Sequence, residues 1–206
     1  MHRYFIEVAY NGTNYSGFQT QLNANTIQAE IEAALKKILR MPITLTGSSR
    51  TDAGVHAMQN FFHADFNIEF KQQKLYNLNA VLPSDIVIKN IYPVTNKAHA
   101  RFDAIEREYQ YFISTHKKPF TKAYSYYHPY TLQLNALQQA AKIIQEQQDF
   151  TSFSKQHTQV NNFFCNVYSS QWIALKTGWL YHIRANRFLR GMIKGLVGTM
   201  LRVGRG

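Results

Sequence analysis

Apolar and polar positions follow two rhythms along this chain, and each rhythm predicts a kind of element. Residues 3–10 are rich in aromatic and β-branched side chains and predict a strand. Asn11-Gly12 is a turn signal, and residues 15–19 predict a second extended segment. Over 26–40 the period changes. Ile27, Ile31, Leu35, Ile38 and Leu39 share one helical face, Asn25 or Thr26 can cap the start, and Pro42 ends the run. A short strand over 43–46 leads into a loop of small residues, 47–54. A strand over 55–66, a helix over 71–82 stopped by Pro83, and a strand over 86–94 follow.

A second half starts near residue 103. It predicts a strand over 106–114 and an irregular connection over 116–129. A helix over 132–147 turns Leu134, Leu137, Ala141 and Ile144 inward. Residues 150–165 lack clean periodicity and predict a loop. Strands over 167–175 and 179–186 are joined by the hairpin-like turn Lys176-Thr177-Gly178. A helix over 188–203 carries Leu189, Met192, Ile193, Leu196, Val197 and Met200 on its apolar face. Each half mixes about four strands with two helices, roughly β-α-β-α-β. The expected class is α+β: two similar halves, 1–102 and 103–206, side by side, with mainly antiparallel sheets and helices on one face. A cleft between two such halves is a favoured place for a site.

Composition narrows the function. The chain has 206 residues, 45% hydrophobic, which suits a packed core and argues against wholesale disorder. Net charge is +11, unevenly spread: residues 1–103 carry +2 and residues 104–206 carry +9. No acidic residue follows Asp149, while eight Lys and Arg do. A surface of this sign attracts polyanions, nucleic acid first among them. The plainer alternative is a generally basic soluble protein. Aromatics make up 14% of the chain, and an exposed subset can stack on bases.

A single cysteine, Cys165, excludes an intrachain disulfide and a cysteine-cluster metal site. No histidine pair has the spacing of a helical zinc site, so no metal is expected. The first residues lead straight into a strand pattern, unlike a secretory signal. No apolar run approaches the roughly 18 residues of a membrane span. These features predict a cytoplasmic protein without a membrane partner.

The sharpest chemical signal is Arg50-Thr51-Asp52-Ala53-Gly54-Val55-His56-Ala57. An acid sits in a small-residue loop just before a strand, two residues from an arginine whose charge complements a carboxylate. A positioned carboxylate can serve as a nucleophile or an electrostatic anchor. Gly54 permits a sharp turn and a close approach of substrate to the backbone. Local chemistry alone also allows Asp52 to be an ordinary turn or cap residue.

The string Gly-x-x-Arg-Thr-Asp-Ala-Gly-Val-His-Ala resembles the signature of the tRNA pseudouridine synthase A (TruA) family. Further blocks are similar to that family, in the expected order. They are Tyr10-Asn11-Gly12-Thr13-Asn14-Tyr15-Ser16-Gly17-Phe18-Gln19, His99-Ala100-Arg101-Phe102-Asp103-Ala104, Arg107-Glu108-Tyr109-Gln110-Tyr111 and Asp149-Phe150-Thr151-Ser152-Phe153. Asn186-Arg187-Phe188-Leu189-Arg190-Gly191-Met192 and the run from Leu196 to Gly204 complete the set.

The resemblance implies the pseudouridine synthase fold and an isomerase that converts uridine to pseudouridine in tRNA. Asp52 takes the place of the catalytic aspartate. Tyr109 takes that of the tyrosine packed on the target uracil; a sheet-core tyrosine is the alternative. Arg50 corresponds to the arginine tied to the flipped nucleotide's vacated place or to the RNA backbone. Lys194 falls where the family usually has an arginine paired with the aspartate, and Met192-Ile193-Lys194-Gly195 replaces the commoner Met-Val-Arg-Asn. Lysine keeps the charge but loses the bidentate fork; the alternative is a solvated helix residue.

Arg187 and Arg190 are candidate contacts to the RNA backbone, and so are Arg101 and Arg107, which could equally form surface ion pairs. His56 could serve as a catalytic base, and is read first as structural or as an RNA contact. The reaction loses no atoms and needs no cofactor. Family members work as homodimers on the anticodon stem-loop, at about positions 38 to 40, which suits recognition of RNA by shape. The family pattern also continues some tens of residues past Val-Gly-x-Gly, so a C-terminal truncation is expected. A catalytically impaired homologue acting as an RNA-binding protein is the second reading. A carboxylate-dependent hydrolase is the third; it lacks a second acid near Asp52.

Overall fold

The computed structural model describes residues 1–155, 160 and 162–206. The chain divides into two compact units, Met1–Ala104 and Ile105–Gly206.

In unit 1, strand β1 (His2–Tyr10) alternates as the sequence predicts, burying Tyr4, Ile6, Val8 and Tyr10 on one face. It lies between β3 (Ala57–Phe66) and β4 (Ile86–Val94), antiparallel to both, and the two-residue β2 (Thr46–Gly47) adds to the outer edge of β3. Helix α1 (Ile27–Leu39) covers this sheet with Ile27, Ile31, Leu35 and Leu39. Full burial of one such side chain stabilises by about 1.5–3 kcal/mol. Thr26 Oγ1 caps α1 by accepting from the Ala29 N–H, and Arg40 closes it in a left-handed conformation two residues before Pro42. The second helix, α2 (Gln73–Val81), buries Leu78.

Unit 2 has the sheet order β6-β5-β8-β7. Its strands are β5 (Arg107–Ser114), β6 (Tyr126–Tyr127), β7 (Val167–Leu175) and β8 (Gly178–Ala185). Among the described residues only β6 runs parallel to its neighbour, with Ile113 opposite Tyr126. Helices α3 (Leu134–Glu146) and α4 (Met192–Arg205) complete a core of Leu137, Ala141, Trp172, Tyr181, Leu196 and Met200. The Trp172 Nε1–H points at Met200 Sδ, 3.3 Å away.

The class is α+β: among the described residues each unit has one mainly antiparallel four-stranded sheet and two α-helices. Several local expectations are corrected. Unit 2 runs β-β-α-β-β-α, because β6 adds to the edge of β5 ahead of α3 and the expected Lys176-Thr177-Gly178 turn folds β7 directly onto β8. Residues 15–19 form bends instead of an extended segment. The strand expected over 43–46 is confined to Thr46–Gly47. The connection over 116–129 contains β6 and the 3-10 helix Pro119–Tyr124. Leu134 is exposed, since it opens α3 ahead of the turn that meets the sheet. The last helix starts at Met192, because Gly191 before it is left-handed (φ 77°). Of the loop expected over 150–165, residues 156–159 and 161 lie outside the described residues, and the rest holds the short 3-10 helix Thr151–Phe153.

Candidate active site

Asp52 sits half-buried in the loop between β2 and β3, and unit 1 ties that loop down on three sides. On the first side, the Tyr10 hydroxyl at the end of β1 lies 2.9 Å from Thr51 Oγ1 and accepts from Asn60 Nδ2 at 3.2 Å. Asn60 Oδ1 in turn accepts from Ser48 Oγ at 2.8 Å and Ser49 Oγ at 3.3 Å. Burial pushes the Tyr10 phenol up, so it stays a neutral hydrogen-bonding group. A buried polar cluster satisfied in this way resists rearrangement, because each broken bond strands a buried donor or acceptor.

The second tie comes from residues 15–19, whose bends carry the chain beneath the loop. The Phe18 N–H donates to the Thr51 carbonyl at 3.1 Å, and the Gly54 N–H donates to the Tyr15 carbonyl at 3.4 Å. Gly17 is needed here: its φ is +106°, and a Cβ would stand 2.8 Å from the Thr51 carbonyl oxygen. The Phe18 ring stacks on Phe62 with centroids 4.6 Å apart, anchoring the segment in the core.

The third tie is His56. Its Nδ1 accepts the Gly12 N–H at 3.1 Å, joining the turn after β1 to the far end of the loop. This gives His56 a structural bond. Gly12 packs so closely that a Cβ would come within 2.1 Å of the Val55 carbonyl oxygen. Arg50 is exposed on the same loop. Arg101, also in unit 1, is exposed, with its guanidinium 5.7 Å from the Phe102 ring centroid.

Unit 2 holds the other predicted residues. Tyr109 is half-buried on β5, opposite Ile183, and meets the Phe188 ring edge-on at 5.2 Å. Lys194 is exposed on the first turn of α4. Arg107 Nη1 donates to the Asn186 carbonyl at 2.9 Å, and Arg187 Nη1 donates to Asn162 Oδ1 at 3.3 Å. Arg190 is exposed, and its carbonyl accepts the Lys155 N–H. The structure thus groups Asp52, Arg50 and His56 on one loop of unit 1, and Tyr109 and Lys194 on the sheet and helix of unit 2.

Sequence reasoning quotes Tyr10 and Gly17 only within a family-like block, without their hold on the Asp52 loop, and misses Asn60. Asn60 left a signal, as a polar side chain at an inward position of β3, where Phe62, Ala64 and Phe66 continue the apolar series.

A family model described as tRNA pseudouridine synthase matches residues 6–103 and 140–206. The chain is 44% identical, over 211 aligned residues, to tRNA pseudouridine synthase A of Parabacteroides distasonis, covering all of this chain and 82% of that protein. It is 43% identical over 211 residues to the protein of the same name from Porphyromonas gingivalis, covering all of this chain and 84% of that one. Against the one from Staphylococcus aureus it is 35% identical over 208 residues, or 99% of this chain and 78% of that protein.

Proposed function

This chain belongs to the tRNA pseudouridine synthase family, and from that premise we propose that Asp52 is the carboxylate with which it isomerises uridine to pseudouridine in tRNA. The observation that supports this most is the immobilisation of the Asp52 loop, held through Thr51 by Tyr10 and through Gly12 by His56. A group that must meet one sugar carbon gains from being positioned before the substrate arrives.

The reaction breaks the bond from ribose carbon 1′ to uracil nitrogen 1 and makes a bond from carbon 1′ to uracil carbon 5. The target nucleotide leaves its stack so that both its sugar and its base are reachable. An Asp52 oxygen attacks carbon 1′, and the bonding pair departs with the uracil. The base turns in place, carbon 5 attacks carbon 1′, and the carboxylate leaves. The proton on carbon 5 is lost and nitrogen 1 gains one, so the product is an isomer of the substrate and no cofactor enters the balance.

Tyr109, braced edge-on by Phe188, stacks on the uracil during this turn. Lys194 supplies the positive charge that complements the Asp52 carboxylate. Arg50 holds the place of the flipped nucleotide or the adjoining backbone. The remaining cations (Arg101, Arg107, Arg187 and Arg190), together with His56, contact phosphates and position the RNA without reading its sequence. The substrate region is the anticodon stem-loop, and the working form is a cytoplasmic homodimer. No described helix is long and apolar enough to cross a membrane.

The test uses tRNA tritiated at uridine carbon 5, with no metal or nucleotide added. Isomerisation releases the label to water and leaves pseudouridine in the digest. Neither product forming with folded protein contradicts the proposal.

A further inference from the structure

In unit 1, a single residue fastens both ends of the segment that braces the Asp52 loop. Asp85 closes the turn between α2 and β4, one position before Ile86, which pairs with Tyr10 at the end of β1. The Asp85 carbonyl accepts the Asn11 N–H at 2.8 Å, and its Oδ1 accepts the Tyr15 hydroxyl at 2.6 Å. Between these two bonds lies the 3-10 turn Gly12–Asn14, closed by the Tyr15 N–H on the Gly12 carbonyl at 3.1 Å.

This segment passes its hold to the Asp52 loop at two points. The Gly12 N–H donates to His56 Nδ1, and the Tyr15 carbonyl accepts the Gly54 N–H two residues after Asp52. The Gly54 bond is long, at 3.4 Å, and a bond at that length weakens quickly if its acceptor drifts. The Tyr15 side chain decides whether that acceptor can drift. Tyr15 is buried, so its hydroxyl would carry a desolvation penalty without an acceptor. Burial, then the Asp85 carboxylate, push the phenol up, so it keeps its proton and stays the donor. A hydroxyl bonded to a carboxylate is held roughly twice as strongly as one bonded to a neutral group.

We propose that Asp85 is a positioning residue for the reaction: through the Tyr15 hydroxyl it fixes the Tyr15 carbonyl against Gly54, and so sets where the Asp52 carboxylate stands relative to ribose carbon 1′. The inference rests on the reading of Asp52 as the attacking carboxylate. Asp85 acts through Tyr15 and not on the RNA, so its effect falls on the chemical step and not on tRNA binding.

The test compares single-turnover pseudouridine formation with tRNA affinity in the full chain. Tyr15→Phe removes the hydroxyl and keeps the ring. Asp85→Asn keeps the shape and an acceptor oxygen but removes the charge. Tyr92→Phe is the control: it removes a bond of the same kind, from the Tyr92 hydroxyl to Glu7 Oε2 at 2.8 Å, which ties β4 to β1. Tyr15→Phe is expected to slow conversion about tenfold or more, with Kd for tRNA within about twofold of wild type, as a slightly displaced carboxylate allows. Asp85→Asn is expected to slow it several-fold and to have no further effect in a Tyr15→Phe background, because both changes act on one bond. Tyr92→Phe is expected to lose comparable stability in urea and to keep the wild-type rate.

A wild-type single-turnover rate in Tyr15→Phe overturns the inference. So does a loss that appears in Kd alone, or an equal slowing in Tyr92→Phe, which would follow stability and not position. Losses from Tyr15→Phe and Asp85→Asn that multiply in the double variant overturn it too. Should Tyr15→Phe not fold, Asp85→Asn against Tyr92→Phe decides the matter by the same rates. A wild type that binds tRNA and converts none is instead the failure of the parent reading.

Discussion

The hydroxyls of Tyr10 and Thr51 lie 2.9 Å apart, joining the end of β1 to the residue just before Asp52. That one contact links a core strand to the carboxylate proposed to attack the sugar. Tyr10→Phe removes it and also takes away the nearer acceptor of Asn60 Nδ2, which keeps the Ser49 carbonyl at 3.5 Å. The expected stability loss is about 1–3 kcal/mol, read by urea unfolding. The expected fall in pseudouridine formation is on the order of 10- to 100-fold, as a loop misplaced by an ångström allows. Wild-type turnover in Tyr10→Phe would show that the tie does not position Asp52.

Gly12 makes a sharper case. An added methyl would stand 2.1 Å from the Val55 carbonyl oxygen, so backbone must move. The loop that moves carries Asp52 three residues earlier. Gly12→Ala is predicted to cost about 1–3 kcal/mol through overpacking and to reduce single-turnover rates on the order of 100-fold. Calorimetry and a quenched-flow time course check the two effects separately.

Tyr109 separates stacking from acid–base chemistry. Its ring is held edge-on by Phe188. Tyr109→Phe keeps the ring and drops the hydroxyl, so single-turnover conversion is expected to stay within about tenfold of wild type, less than a general base typically contributes. Tyr109→Leu drops the ring and is expected to lose far more. Equal losses in both variants would assign the work to the hydroxyl.

His63 makes the stability of unit 1 depend on pH. It is 7% exposed, and its Nδ1 accepts the Ala100 N–H at 3.1 Å. Burial, then the charges of His99 and Arg3, hold its imidazole below the usual histidine range, while Asp65 and Asp103 oppose this weakly. The unfolded chain takes up a proton near pH 6.5, about the ordinary histidine value, and the folded chain does so only at lower pH. Between those points the unfolded state binds more protons, so stability rises with pH. The contribution is complete above the unfolded value and is lost as pH falls through the folded one. Urea unfolding from about pH 7 to about pH 5 should therefore show a falling stability, and a smaller fall in His63→Asn.

Much of the fold was legible because it follows local periodicity. Alternation along β1 and the 3.6-residue rhythm of α1 both come from one buried face, and each was read within about a residue of its ends. Residues 15–19 were misread because their role is long-range. Aromatic content suggests a strand, but Gly17 turns left-handed so that Phe18 can bond Thr51. The start of α4 was misread because helix periodicity runs through Gly191, where the backbone in fact reverses.

At the site, Asp52 stood out through an unbroken string of residues, while its supports did not. Tyr10 and Asn60 are fifty positions apart and meet only because β1 pairs with β3.

The most direct test of the account is single-turnover tritium release from tRNA labelled at uridine carbon 5, comparing wild type with Asp52→Asn. The substitution keeps size and shape and removes only the nucleophilic carboxylate. The account predicts that Asp52→Asn still folds and binds tRNA but forms pseudouridine slower on the order of 10⁴-fold or more. Pseudouridine appearing in the folded variant at the wild-type rate would contradict it.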